Sequence, residues 1–247
     1  GRAGMEGAQA VARSAAATPD ATGLLKPLAE NWIHARLPET EVLDLAPQSF
    51  DLAVSVLSLH TVNDLPGVLI QIRRALKPDG LFVGAMFAGD TLRELRESLA
   101  AGEESMSGGA SPRVSPFADV RDLGSLLQRA GFNLPVADTE KTVVRYRAFD
   151  TLIADLRAAG ETNVLAHRTR KSLRRDVLAA SLAHYNDHHA ETDGKLRATF
   201  EIAYLTGWAP HESQQTPLRP GSAKARLADA LGTIEQSAGD TTPRARN

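Results

Sequence analysis

The chain has 247 residues, which at about 150 residues per domain is enough for one or two domains. Lys and Arg total 28 and Asp and Glu total 30, so the formal net charge is −2, which argues against broad electrostatic binding of nucleic acid. The sequence contains no cysteine, which excludes disulfides, Cys-ligated zinc, iron–sulfur clusters and a thiol nucleophile. No apolar run approaches the roughly 18 residues that a membrane span requires, so we expect a globular protein without one.

The first predicted elements are a helix and a buried strand. Residues 5–17 are rich in alanine, the residue with the highest helix propensity, and predict a helix. Residues 50–57 are apolar, with several β-branched side chains. Such a run is typical of a short strand that is buried on both faces of a sheet.

A second helix and a second strand follow directly. Leucine and isoleucine recur on one helical face, at Leu65, Leu69, Ile72 and Leu76. We therefore predict a helix over 65–76, with Asp64 as its N-cap. Residues 77–80 have the sequence Lys-Pro-Asp-Gly, which ends a helix and supports a turn, and residues 81–87 predict another buried strand.

The middle of the chain predicts two more helices around a loop. Asp90 is a suitable N-cap for a helix over 90–101, and the many Gly and Ser residues of 102–114 predict a loop. Ser115 and Pro116 have the sequence of an N-cap followed by proline at the first helical position. The helix that they begin is expected to end at Gly131.

The C-terminal half predicts two strands that enclose a helical segment. Residues 133–146 and 198–208 are rich in strand-forming side chains, and residues 149–192 are helical, with breaks near Gly160 and Ser172. A short helix is expected over 222–231, before a disordered end. The alternation of strands and helices predicts an α/β fold with a mostly parallel sheet, and the segment over 149–192 is expected to be a lid.

Motifs in this frame resemble a known family. The matching segments are Ser49-Phe50-Asp51-Leu52, Leu57-Ser58-Leu59-His60, Leu76-Lys77-Pro78-Asp79-Gly80, Gly108-Gly109-Ala110-Ser111-Pro112-Arg113 and Gly207-Trp208-Ala209-Pro210-His211. Together they resemble class I S-adenosylmethionine-dependent methyltransferases. Within that class they are similar to one subfamily, which includes bacterial proteins that resemble mitochondrial complex I assembly factor 5. This subfamily is related to the malonyl-carrier-protein methyltransferases of biotin synthesis.

The resemblance implies a fold and a division of the chain. It implies a Rossmann-like sheet of seven strands, with a helical lid between the last two. The expected domains are a Rossmann-like domain over 1–148 and 196–210, a lid over 149–195 and a partly disordered tail over 211–247. The family's glycine-rich loop is represented here only by Gly1 and Gly4, so its first strand is expected to be missing, which would leave a gap in the middle of the sheet.

The same resemblance implies a cofactor and a choice of reactions. The cofactor is S-adenosylmethionine, and the main expectation is methyl transfer to an unidentified acceptor. The alternatives are an arginine hydroxylase of the complex I assembly type, which would bind a client subunit, and a methyltransferase-fold binding module without activity. The expected location is the cytoplasm, with the mitochondrial matrix as the alternative.

The candidate cofactor residues follow from positions in the family's motifs. The carboxylate of Glu39 would accept a hydrogen bond from the adenine amino group, and Leu57 and Ser58 at the end of the strand predicted over 50–57 would contact the cofactor. The cofactor-binding candidates are Gly1, Gly4, Glu39, Leu57 and Ser58.

The candidates for catalysis and substrate binding lie in loops after strands. His60 follows a buried strand, where ligands bind in open α/β sheets. It orients a substrate, acts as a general base, or only caps or packs at the strand end. Asn63 in the same loop is the second catalytic candidate. Arg113 would hold a carboxylate bidentately, or it is a surface arginine, and His211 is the other substrate-binding candidate.

A histidine-rich run near the end of the lid does not predict a metal site. His184 and His188 are four residues apart and would share a helix face. A zinc-protease helix needs a glutamate directly after the first histidine, and Tyr185 stands there. We therefore assign no metal ligand.

Overall fold

The computed structural model describes residues 9–11, 33–35, 40–163, 165, 168–169, 172–215 and 232–233. The chain divides into two compact units, Gly1–His211 and Glu212–Asn247. All elements named below belong to the first unit. The helix expected over 222–231 lies outside the described residues.

The strands of the described residues form one six-stranded sheet, and the α/β fold predicted from the sequence is confirmed. They are β1 (Gln9–Val11), β2 (Ile33–Ala35), β3 (Phe50–Val56), β4 (Leu76–Phe87), β5 (Asn133–Tyr146) and β6 (Leu196–Trp208). Their order is β2-β1-β3-β4-β6-β5. The first four strands in this order are parallel, whereas β6 runs antiparallel to both β4 and β5.

Five α-helices are described beside this sheet. They are α1 (Leu65–Ala75), α2 (Arg93–Ser107), α3 (Val120–Arg129), α4 (Phe149–Ala158) and α5 (Arg175–His189). Helices α4 and α5 come between β5 and β6 in the chain, so the prediction of a helical insertion between the last two strands is confirmed. We call residues 149–195 the lid.

The beginning of the chain differs from the expected helix. Residues Gln9–Val11 form a strand that pairs with Ile33–Ala35 on one side and with residues 53–55 on the other. The helix expected over 5–17 is therefore wrong at these residues, because hydrogen bonds to two parallel neighbours outweigh the weak preference of alanine for a helix. This strand also occupies the middle of the sheet, where we expected a gap.

Helix α1 has the predicted bounds to within one residue. The carboxylate of Asp64 accepts a hydrogen bond from the Gly67 backbone N–H at 3.0 Å, so Asp64 is the N-cap, as predicted. The face that packs on the sheet buries Val68, Leu69, Ile72 and Ala75. Strand β4 then begins at Leu76, five residues earlier than predicted. The expected Lys-Pro-Asp-Gly turn at 77–80 is an irregularity inside this strand, between its pairings with Phe50 and Leu52.

Two helix starts were predicted too early, and in each case a competing contact explains the shift. Asp90 does not cap α2, since its carboxylate binds the Lys141 ammonium at 2.6 Å, and the helix begins after Leu92. Helix α3 begins at Val120, and its N-cap is Asp119, whose carboxylate accepts from the Arg121 N–H. Ser115 and Pro116 precede this helix in irregular chain.

Two separate apolar clusters hold these layers together. The first, the sheet core, lies between the sheet and helices α1 and α3, and includes Phe82, Met86, Leu123, Leu127 and Leu205. The second, the lid core, joins α2 to the lid and to the ends of β5 and β6, and its members are Leu92, Leu95, Leu99, Tyr146, Leu152, Leu156, Tyr185, Leu196 and Ala198. In the described part of the chain, no helix is long and apolar enough to cross a membrane.

Candidate functional site

The strand order places a switch point between β1 and β3. From β1 the chain passes to β2 on one side, whereas from β3 it passes to β4 on the other. In open α/β sheets, ligands bind outside the carboxyl ends of the strands at such a point. The carboxyl end of β3 leads into Leu57, Ser58 and His60, which are three of the residues that the sequence singled out.

The backbone and the hydroxyls at this strand end are unusual. Leu57 has φ of 46°, in the left-handed region that non-glycine residues seldom adopt, and its N–H donates to the Ala85 carbonyl at 2.7 Å. The hydroxyls of Ser55 and Ser58 are buried and have no hydrogen-bond partner within the described residues. Buried polar atoms are nearly always paired, so these two fit a site that is completed by a polar ligand or by water.

The predicted cofactor residues divide into two groups. Gly1, Gly4 and Glu39 lie outside the described residues. Leu57 and Ser58 lie at the switch point, and the unpaired Ser58 hydroxyl fits the polar groups of S-adenosylmethionine. The neighbouring carboxylate of Glu41 is already engaged, because it accepts the backbone N–H groups of Asn63 and Asp64 at 2.6 and 2.7 Å.

A cavity of about 340 Å³ opens beside His60. One wall is apolar and comes from α2, α4 and the chain before α3, with Leu92, Leu95, Leu99, Val114, Phe117, Ile153 and Leu156. The polar lining comes from His60, Thr61, Arg113, Ser115, Arg157, Glu161, Thr162 and Asn163. A cavity that combines an apolar wall with convergent polar groups is typical of a small-molecule or side-chain binding site.

His60 lies between aromatic rings and one carboxylate. Its side chain is only 2% exposed, and its Nε2 atom lies 3.0 Å from Glu161 Oε2. The imidazole meets Phe87 edge-on, with ring centroids 4.9 Å apart, and the Phe117 centroid is 6.0 Å away. His60 Nδ1 is buried and has no partner among the described residues. These contacts fix the direction of the imidazole and leave one of its nitrogens without a partner in the described part of the chain.

Arg113 lines the cavity, as predicted for a substrate residue, but its guanidinium is held by α2. Its Nε donates to Glu103 Oε1 at 2.7 Å, and Ser111 donates to Glu103 Oε2 from its N–H and its hydroxyl. Burial raises the pKa of the Glu103 carboxyl, but these hydrogen bonds and the Arg113 charge outweigh burial and hold the pKa below its ordinary value. The bidentate clamp that we expected from Arg113 is thus already directed at Glu103.

Two other candidates are not brought to the cavity. Asn63 is exposed and does not line it, and its described role is to donate its N–H to Glu41. His211 follows Trp208, which pairs with Leu81 near the amino end of β4. Because β6 is antiparallel to β4, His211 lies at the opposite edge of the sheet from His60.

Two lid residues of the site were not predicted from the sequence. Glu161 contacts His60 across 101 positions of the chain. Asn163 donates from its amide to the Pro112 and Arg113 carbonyls at 2.8 and 3.1 Å, which ties the lid to the loop before α3. The one local signal was Gly160, which ends α4 with φ of 78° and so directs the following residues.

The histidine-rich helix end is stacked rather than arranged around a cation site. The rings of His184 and His188 are 4.0 Å apart and nearly parallel. No group of three or more His, Asp or Glu side chains that could hold a metal ion occurs in the described residues.

Comparison with known proteins gives a family for this fold and site. The model of a family described as "Methyltransferase domain" matches residues 7–135. In solved structures, the YcgJ protein of Bacillus subtilis matches with a TM-score of 0.50 at 12% identity over 84% of this chain and 94% of that one. The BH2331 protein of Bacillus halodurans, described as a methyltransferase, matches with a TM-score of 0.54 at 11% identity over 83% and 93%. These likenesses support the fold.

Two groups of curated relatives are more similar in sequence. The human protein named "Arginine-hydroxylase NDUFAF5, mitochondrial" is 48% identical over 198 residues, which is 80% of this chain and 57% of that protein. A malonyl-[acyl-carrier protein] O-methyltransferase of Gallionella capsiferriformans is 34% identical over 172 residues, or 70% of this chain and 57% of that protein. This chain thus spans little more than half the length of these relatives.

Proposed function

This chain belongs to the methyltransferase-domain family, and on that premise we propose that it binds S-adenosylmethionine at the carboxyl end of β3 and methylates an acceptor in the cavity beside His60. The observation that carries the proposal is the position of this cavity. It is lined by His60 and Thr61, which follow Leu57 and Ser58 at the carboxyl end of β3, the strand beside the switch point of the sheet. Ligands in open α/β folds bind at this point.

The chain's own residues have limited but definite tasks in this reaction. When bound, S-adenosylmethionine supplies an activated methyl group on its sulfonium. The Ser58 hydroxyl and the backbone of Leu57 would contact the adenosyl moiety. The apolar wall of the cavity excludes water and orients the acceptor, and such positioning contributes most of what methyl transfer needs. His60 would take the proton that the acceptor loses at Nδ1, which is buried in this structure, so the bound acceptor has to reach that nitrogen.

A second candidate function is arginine hydroxylation of a client protein. It is favoured by sequence similarity, because the relatives named arginine hydroxylase are 44–49% identical to this chain, against 34–36% for the malonyl-carrier-protein methyltransferases. The same relatives are named mitochondrial, which favours the mitochondrial matrix, the alternative location, for this candidate.

Mass spectrometry of reacted substrates separates these functions. The chain would be incubated with methyl-labelled S-adenosylmethionine and either malonyl-loaded acyl carrier protein or arginine-containing peptides of respiratory subunits, in air and with ascorbate. Hydroxylation needs O2 and two electrons from a reductant, since one oxygen atom enters the product and the other leaves as water. Methyl transfer adds one labelled CH2, whereas hydroxylation adds one oxygen atom and no label. We expect the label to appear in the product. His60→Ala should lower the rate of methyl transfer at least about 100-fold, as expected for loss of a general base.

The control is His188→Ala, which removes an exposed histidine of the lid helix and should leave the rate unchanged. A product with one added oxygen and no label would replace the main proposal with the second candidate. No modification of any substrate, together with no binding of S-adenosylmethionine, would leave the third alternative, a binding module without activity.

A further inference from the structure

One contact joins the lid to the end of β3. Glu161 Oε2 lies 3.0 Å from His60 Nε2, and both side chains are largely buried, with 21% and 2% of their areas exposed. The other close neighbours of the imidazole are the rings of Phe87 and Phe117, which offer no hydrogen-bond acceptor of comparable strength. Glu161 is therefore the partner that sets the hydrogen bonding of His60.

The position of Glu161 is set by the end of α4. Gly160 adopts φ of 78°, its N–H donates to the Arg157 carbonyl at 3.0 Å, and the Glu161 N–H donates to the Leu156 carbonyl at 2.8 Å. These two hydrogen bonds form a Schellman motif, which fixes the direction of the chain after a helix. Two residues later, Asn163 anchors the segment to the carbonyls of Pro112 and Arg113. Glu161 is thus held from both sides.

This geometry assigns a tautomer to His60. A carboxylate oxygen can only accept a hydrogen bond, so the neutral imidazole must carry its hydrogen on Nε2 to satisfy Glu161. The lone pair then lies on Nδ1, the buried nitrogen without a partner in the described residues. The opposite tautomer would place two lone pairs against each other at 3.0 Å.

We propose that Glu161 is a positioning residue of the site, which holds His60 in the Nε2–H tautomer and so leaves the lone pair on the buried Nδ1, where an acceptor that reaches this nitrogen would give up its proton. The catalytic part of this inference rests on the proposed function. In the step, the bond from the acceptor atom to its hydrogen breaks and an Nδ1–H bond forms. Glu161 keeps its place and stabilises the imidazolium, as the aspartate of a Ser-His-Asp triad does, and the proton later passes to water.

The test is the tautomer itself, measured by side-chain nitrogen chemical shifts of the 15N-histidine-labelled chain, with no cofactor or acceptor added. The seven histidines are distinguished by the signals lost in His60→Gln. In the unmodified chain we expect the His60 signals of the Nε2–H tautomer. Glu161→Gln should give a mixture, because an amide offers both an acceptor and donors, and Glu161→Asp should restore part of the preference.

Thr162→Ala is the matched control, since it changes the next residue and leaves the carboxylate in place. Its His60 signals should equal those of the unmodified chain. Nδ1–H signals in the unmodified chain, or the same tautomer in Glu161→Gln as in the unmodified chain, would overturn the inference. A confirmed tautomer together with absent transferase and hydroxylase products would instead reject only the proposed function, so the two failures are distinguishable.

Discussion

The sheet core and the lid core are both buried, but they are built from different chemistry. The sheet core consists of aliphatic and aromatic side chains such as Phe82, Met86 and Leu205. The lid core borders buried polar groups, among them Glu94, whose carboxylate accepts from the N–H and the hydroxyl of Thr199. Apolar packing is strong but has little directional preference, whereas hydrogen bonds to a buried carboxylate fix one relative position.

This difference matches the tasks of the two regions. The sheet core stabilises the layer that carries the strand ends, whatever is bound there. The lid core determines where α4 ends and so where Glu161 meets His60. We therefore expect substitutions in the sheet core to lower global stability most, and substitutions in the lid core to have smaller effects that depend on hydrogen bonds and close packing.

The largest effect is expected from Phe82→Ala. This side chain is fully buried in the sheet core and packs on Phe132, with ring centroids 5.5 Å apart. Removing the ring loses its burial and leaves a cavity, which lowers the free energy of unfolding by about 3–5 kcal/mol. Urea denaturation measures this loss in the free energy of unfolding. A loss no greater than that of an exposed substitution such as Val136→Ala would show that the sheet core is not the main source of stability.

Glu94→Ala should have the next largest effect. It leaves two buried donors of Thr199 without their acceptor, which lowers the free energy of unfolding by about 2–3 kcal/mol. Glu104→Ala on the same helix is the control, because Glu104 is exposed and should change stability by no more than about 0.5 kcal/mol. Equal effects of the two substitutions in urea denaturation would contradict the role assigned to the buried carboxylate.

Gly102→Ala tests the close packing of α2 on α5. An added Cβ would lie 2.1 Å from the Ser181 hydroxyl and 2.8 Å from the Val177 carbonyl, so the two helices would have to separate. We expect a loss of about 1–3 kcal/mol, although the same change in an exposed helix is stabilising. Gly109→Ala, where nothing lies within 4 Å, is the matched control and should leave the melting temperature nearly unchanged.

The smallest effect is a pH dependence from Glu103. Since the folded-state pKa of this carboxyl lies below its ordinary value of about 4.3, the stability that it contributes is fully present above that value. It is lost as the pH falls through the lower, folded-state pKa. We therefore expect the free energy of unfolding, measured by urea denaturation, to fall less steeply between pH 6 and pH 3 for Glu103→Gln than for the unmodified chain. Identical slopes would mean that the Ser111 and Arg113 contacts do not persist in solution.

Local signals in the sequence predicted the elements whose partners are also local. Helix α1 was predicted because its cap, Asp64, and its apolar face lie within twelve residues of each other. Asp90 was taken for a cap because its partner, Lys141, is 51 positions away and leaves no mark in the local sequence. The short strand at Gln9–Val11 depends on two parallel neighbours that are distant in the chain. These partners leave no local signal, so the alanine-rich sequence around the strand predicted a helix instead.

The site followed the same rule. His60 was found because a histidine after a buried strand is a local feature, and general knowledge of open sheets places ligands there. Glu161 was missed because only the fold brings the end of α4 to the end of β3. The position of His211 could not be read from the sequence either, since its motif gives no strand direction and β6 runs antiparallel to β4.

The most direct test of the central claim is a calorimetric titration of this chain with S-adenosylmethionine. The account predicts binding with a dissociation constant near micromolar, which corresponds to about −8 kcal/mol. Ser58→Ala, which removes a hydroxyl that has no partner in the described residues, should weaken this binding and leave the melting temperature unchanged. No heat of binding and no rise in melting temperature with added S-adenosylmethionine would contradict a cofactor site at the end of β3.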